Sequence, residues 1–158
     1  MRTHGIEELL SDHPVFRDFD AEIRALLVGC GRNEHFRPGE QIFAEGAPAD
    51  KVFLIRHGDV AVEIATPERA PIIVETLHEG DLLGWSWMVP PYSHMSDARA
   101  LTEISAISLD AECIRRKCDD NPALGYQMFR HMLPHMALRL RTLRLQVLDL
   151  YGPGRGQA

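Results

Sequence analysis

The 158-residue chain is 45% hydrophobic and 25% charged, with a formal charge of −6. That size and composition fit one compact domain with at most a helical appendage, and exclude global disorder and fibrous structure. No apolar run approaches the roughly 18 residues a membrane span needs, and Met1–Leu10 carries charges in place of a signal peptide's apolar stretch. A cytoplasmic location is the expectation. The acidic balance argues against a general nucleic-acid coat, which needs clustered Lys and Arg. Cys30, Cys113 and Cys118 are too few and too scattered for a disulfide framework, so free thiols are expected.

Two short amphipathic pieces open the chain, Ile6–Leu10 and Asp20–Leu27. Asp20 stands as an N-cap for the second, with Ile23, Leu26 and Leu27 on one face. From Arg32 to Leu109 the texture changes to short apolar runs punctuated by Gly, Pro and Asp. Strands are predicted at Gln41–Ala44, Lys51–Ile55, Val60–Ile64, Ile72–Leu77, Leu82–Leu83, Arg99–Leu101 and Ile104–Leu109. His57-Gly58-Asp59 and Glu79-Gly80-Asp81 supply the turns between them. About eight such strands at close spacing predict a mainly β fold, a small antiparallel barrel or jelly roll.

After Asp110, a second N-cap, the pattern turns helical. Asn121-Pro122 restarts a helix, with Pro at its first position. Phe129, Leu133, Met136, Leu140, Leu143, Val147 and Leu150 then recur at alternating spacings of four and three, a heptad seam. A lone helix has nowhere to bury such a stripe except its own barrel or a partner helix, so a homodimer is expected. Pro134 should kink or divide this helix. The division of the chain that follows is an N-terminal helical segment 1–31, a barrel 32–109, C-terminal helices 110–151 and a loose tail 152–158.

Helix, eight-strand barrel, short helix and long helix resemble the layout of the cyclic nucleotide-binding domain family. The likeness is carried by Phe36-Arg37-Pro38-Gly39-Glu40-Gln41-Ile42-Phe43 with Glu45-Gly46, by Lys51–Ile55 followed by Gly58-Asp59-Val60, and by Glu79-Gly80-Asp81-Leu82-Leu83-Gly84. The last of these matches the approach to the family's phosphate-binding cassette. The resemblance implies a jelly-roll fold, a non-enzymatic regulatory role and a ligand in the barrel beneath a cassette spanning 84–96.

The cassette departs from the family pattern. The family's Gly-Glu pair, whose glutamate accepts from the ribose hydroxyl, is here Gly84-Trp85. Its Arg-Ser/Thr-Ala triplet, whose arginine pairs with the cyclic phosphate, is here His94-Met95-Ser96. A histidine offers a phosphate one point of contact, where arginine is bidentate and always charged. Arg99 is the one nearby guanidinium, and the sequence leaves open whether it or His94 takes the place of the phosphate-binding arginine. Gly84-Trp85-Ser86-Trp87 with Pro90-Pro91-Tyr92 resembles the cassette of stand-alone bacterial members that have no attached DNA-binding module. Gly84, Trp85, Ser86, Trp87, His94, Met95, Ser96 and Arg99 are therefore the candidate ligand residues.

Two functional classes follow. In one, the domain is a sensor that holds a cyclic nucleotide or another small ligand and signals through its long helix to a protein partner. In the other, Trp85 and Trp87 plug the pocket and the domain is a ligand-free dimerisation scaffold. Direct sequence-specific DNA binding is not expected, because the chain stops at Ala158 without a helix-turn-helix module. His131 and His135 share a helix face, but no third metal ligand is identifiable. The His-x-His pair of a metal cupin is absent after Pro38-Gly39, and no nucleophile constellation stands out, so no enzyme, metal or cofactor is expected. Arg139, Arg141 and Arg144 read as a solvated helix face paired with acids of the barrel or of a partner.

Overall fold

A computed structural model describes residues 3–152. Helices α1 (Thr3–Asp12) and α2 (Ala21–Val28) precede eight strands. These are β1 (Gly31–Phe36), β2 (Gln41–Phe43), β3 (Lys51–His57), β4 (Val60–Thr66), β5 (Arg69–Leu77), β6 (Leu82–Leu83), β7 (Asp97–Ala100) and β8 (Ile104–Asp110). A 3₁₀ helix, Trp85–Met88, lies between β6 and β7, and α3 (Ala111–Asp120) and α4 (Pro122–Tyr151) follow β8.

The strands form the expected antiparallel jelly roll, but as two four-stranded sheets, β1-β8-β3-β6 and β2-β7-β4-β5, in place of a closed barrel. Alternation along β3 and β8 explains how the first sheet is buried on both sides. Val52, Leu54, Ile107 and Leu109 face a helical core with Leu10, Phe16, Leu27, Ile114, Leu124 and Met128. Phe53, Ile55, Ile104 and Ala106, with Leu83 of β6, face the second sheet, where they meet Val60, Leu77, Ala98 and Ala100. Strands covered on both faces read as continuous apolar runs, which is why Lys51–Ile55 lacks a two-residue alternation.

Asp110 caps α3, its carboxylate accepting from the Cys113 N–H at 2.7 Å. Asp20 occupies the N-cap position of α2 without a side-chain cap bond. Cys30 and Cys113 correct the free-thiol expectation, for they form a disulfide with a Cα separation of 5.8 Å. The β1–β8 register brings them together: Gly31 pairs with Leu109, and Asp110 N–H donates to the Cys30 carbonyl. Cys113 then lies one helical turn beyond. Cys118 is free.

Pro134 does not divide the last helix, which runs unbroken from Pro122 to Tyr151. Its ring lies on an exposed part of the helix, so the missing N–H interrupts one bond without a competing packing demand. Leu124, Met128 and Met132 are the residues α4 buries in the helical core. The heptad seam lies on a different face: Phe129, Leu133, Leu140, Leu143, Val147 and Leu150 are exposed, and Met136 is half-buried. No helix among the described residues is long and apolar enough to cross a membrane. Of the tail expected over 152–158, residues 153–158 lie outside the described residues.

Candidate ligand cavity beneath the long helix

Between the second sheet, the cassette and α4 lies a cavity of about 500 Å³. Val62, Val74 and Leu83 form its floor, and Leu133, Met136, Leu140 and Leu143 of α4 close it from above. Four of the seven seam residues, expected to pack on the strand region or on a partner helix, therefore roof this space. The cassette forms the side wall.

Gly84 sets the geometry of that wall. It adopts a left-handed conformation (φ +91°), which turns the chain from β6 into the 3₁₀ helix. A Cβ there would lie 3.2 Å from the Lys51 carbonyl oxygen, 3.5 Å from His94 Cε1 and 3.6 Å from Phe43 Cε1. The two ring contacts are ordinary van der Waals distances, so the left-handed conformation and the tight approach to the Lys51 carbonyl are what call for glycine, beside two rings that pack over the turn. Those rings, Phe43 and His94, are stacked with centroids 3.5 Å apart and planes 3° from parallel.

His94 is held by its own backbone, which exchanges hydrogen bonds with the turn at Gly46 and Ala47. Its side chain is 5% exposed, and among the described residues its ring makes no hydrogen bond. Burial lowers its pKa below the ordinary histidine value, against an opposing pull from Asp50. The imidazole is consequently neutral near pH 7, with one donor and one acceptor. Ser86, also 5% exposed, lines the same cavity.

The cavity's charged groups are Arg139 and Glu75, and they satisfy each other. Arg139 Nε donates to Glu75 Oε1 at 2.8 Å and Nη2 to Oε2 at 2.6 Å, with Nη1 3.4 Å from the Leu82 carbonyl. Glu75 faces inward by ordinary strand alternation from Leu77, since Val60 pairs with Leu77 and Val62 with Glu75; the β5 bulge comes next, where Glu63 pairs with Ile73 and leaves Val74 as the extra residue. Glu75 therefore shares the inner face of Val62. On the far side of this ion pair a smaller cavity of about 130 Å³ is bounded by Trp85, Met132 and His135.

The predicted site residues divide cleanly. Gly84, Trp85, Ser86, His94, Met95 and Ser96 all line the large cavity. Trp87 does not. It is buried in the helical core, and its carbonyl accepts from Arg115 Nη1 at 2.8 Å. The two tryptophans hence leave the cavity open, contrary to the plugged alternative. Arg99 is also outside. Ala98 and Ala100 point inward, so strand alternation puts Arg99 on the outer face, where Nη1 donates to the Gly39 carbonyl at 2.9 Å and Nε lies 3.4 Å from Glu63 Oε2. It cannot replace the missing phosphate arginine without leaving both partners. Phe43, Glu75 and Arg139 line the cavity in addition to that set; Arg139 pairs with an acid of the strand region as expected, but it stands in the cavity wall and not on a solvated face, while alternation back from Leu77 is the signal that places Glu75 inward.

His131 packs its ring against Phe19, and no cluster of three or more His, Cys, Asp or Glu able to hold a metal exists among the described residues.

The family model of the cyclic nucleotide-binding domain matches residues 33–121, from β1 to the end of α3. The chain belongs to the cyclic nucleotide-binding domain family. Membership makes it a regulatory type of domain. Among curated relatives it is 26% identical over 145 residues to a CRP-like cAMP-activated global transcriptional regulator of Mycobacterium tuberculosis, covering 92% of this chain and 63% of the relative. It is 27% identical over 139 residues to the HTH-type transcriptional regulator Cmr of the same species, covering 88% of this chain and 53% of the relative. The chain therefore spans 63% and 53% of the length of these two regulators. A solved cyclic nucleotide-binding domain from Methylobacillus flagellatus superposes with a TM-score of 0.77 at 20% identity, covering 98% of this chain and 86% of the other. The regulatory domain of Toxoplasma gondii PKA, crystallised with cAMP, gives 0.66 at 20% identity, covering 73% and 44%. At these identities the structural likeness shows the shared fold.

Proposed function

We propose that this chain is a non-enzymatic sensor domain that holds a small ligand in the 500 Å³ cavity and reports occupancy through α4. The observation that carries the reading is the composition of the cavity wall: the sheet and cassette form one side and the middle of α4 the other. An occupant touching both sides binds different α4 positions with different affinity, which is the condition for a ligand to shift a helix. The Arg139–Glu75 pair is the latch, since it ties α4 to β5 at the cavity rim.

The exposed seam of α4 supports a homodimer as the assembly that reads the shift. Phe129, Val147 and Leu150 are exposed apolar residues that the cavity does not use. Light scattering after size exclusion is expected to give twice the chain mass, and Val147→Glu is expected to return the chain mass.

Hydrogen exchange along α4 tests the sensor reading. A bound small molecule is expected to change exchange in 133–143 while leaving α3 unaltered. Saturable binding with no change in α4 would contradict it and leave a ligand site without a signalling role.

A further inference from the structure

We infer that the cavity selects an uncharged, largely apolar molecule with a hydrogen-bonding group, in preference to a cyclic phosphate. The inference rests on the reading of this cavity as a ligand site and specifies the chemistry of its occupant.

The first argument is the charge balance of the walls. Arg139 is already spent on Glu75 in a bidentate pair, with both side chains less than a quarter exposed. Arg99 lies on the outer face. His94 is neutral, because burial holds its pKa down. The four-residue 3₁₀ helix at Trp85 is too short to supply a useful dipole. A phosphate placed here would be desolvated with no free positive charge opposite it, and an unpaired buried charge is strongly disfavoured.

The second argument concerns the polar groups that are free. His94 and Ser86 are each only 5% exposed as residues, both line the cavity, and neither side chain has a hydrogen-bond partner among the described residues; their polar atoms are not fully enclosed, unlike the unpaired His13 Nε2 and Trp87 Nε1. Each therefore keeps hydrogen-bonding capacity for an occupant of the cavity. Both stand at the cassette corner of a space whose other polar side chains are Ser96 and the paired Arg139 and Glu75. A ligand carbonyl, hydroxyl or amine directed at that corner would satisfy them, while its apolar body lies against Val62, Leu83 and Leu140.

The two arguments are tested together with two dyes that share one skeleton. N-phenyl-1-naphthylamine is uncharged, and 1-anilinonaphthalene-8-sulfonate adds a sulfonate to the same rings. Fluorescence titration of the full chain is expected to give saturable binding of the uncharged dye, at least about tenfold tighter than the sulfonate. Millimolar cyclic AMP is expected not to displace it. Val74→Trp, which fills the cavity floor, is expected to abolish this binding, and Ser96→Phe at the side wall serves the same purpose if Val74→Trp fails to fold by circular dichroism. His94→Phe is expected to weaken it several-fold.

If the sulfonate or cyclic AMP binds as tightly, and that binding is lost in the filled variants, the charge inference is overturned and the ligand site stands. If neither dye binds in a way the filled variants abolish, the ligand reading itself fails along with the inference.

Discussion

Arg139 and Glu75 meet in a bidentate ion pair, with contacts of 2.6 and 2.8 Å, that ties the middle of α4 to the bulge of β5. They are 64 residues apart in sequence, and both are less than a quarter exposed. The pair is thus screened less than a surface salt bridge, and its geometry is of the strong fork-to-fork kind. A double-mutant cycle of Arg139→Met and Glu75→Gln, read by urea unfolding, is expected to give a coupling of about 1–2 kcal/mol. Each single variant should also speed hydrogen exchange in 133–143. A coupling near zero would mean that α4 is held by apolar contacts alone.

Gly58 closes the hairpin between β3 and β4 at φ +95°. A Cβ there would lie 2.3 Å from the Glu103 carbonyl oxygen and 2.6 Å from the Ile104 side-chain Cδ1, and the Glu103 backbone cannot retreat without disturbing the start of β8. Gly58→Ala is expected to destabilise the protein by about 2–4 kcal/mol in denaturant unfolding. A cost under about 1 kcal/mol would show that the turn relaxes.

Much of this fold could be read from residue order. Turn residues and short apolar runs placed β2 to β8 within a few residues, and Asp110 and Pro122 placed the starts of α3 and α4. What could not be read was anything set by pairing register. The bulge that sets Val74 beside Glu75 in the cavity lining depends on which residues of β4 they face, and the Cys30–Cys113 disulfide depends on β1 lying beside β8. Arg99 and Trp87 illustrate the same limit within the cassette. A guanidinium and an indole close in sequence to Gly84 looked available, yet one faces outward by strand alternation and the other enters the helical core.

Arg99 separates a stability role from a binding role. Its partner Glu63 has a side chain only 8% exposed, so removing the arginine leaves a buried carboxylate without its cation. Arg99→Met is expected to cost about 1–2 kcal/mol, moderated by the guanidinium's partial exposure. The loss should be largely recovered in Arg99→Met/Glu63→Gln. Affinity for the uncharged dye should not change in either variant. A large drop in dye affinity in Arg99→Met would return Arg99 to the ligand site.

His13 predicts an acid-sensitive fold. It is buried at the α1–α2 turn with its Nδ1 accepting from the Val15 N–H, and its pKa falls from 6.5 to about 4. Burial is the main cause, followed by His135 of α4, with Asp81 opposing. The folded state therefore favours the neutral ring, and the unfolded chain takes up the proton first. This stability is complete above pH 6.5 and is lost as the pH falls through about 4. The loss is of order 2–3 kcal/mol, and His94, shifted the same way, adds to it. Unfolding free energy measured across this range should fall less steeply in His13→Gln. Equal slopes for the two proteins would contradict the assignment.

The central claim is that a small molecule occupies the cavity between the sheet and α4. Crystal structures of the protein with and without N-phenyl-1-naphthylamine test it most directly. The account predicts dye density between the Phe43–His94 stack and Leu140, within hydrogen-bond reach of His94 or Ser86, and a displaced segment of α4 near Arg139. Dye density confined to the exposed seam at Phe129, Val147 and Leu150, with the cavity filled only by water, would contradict it.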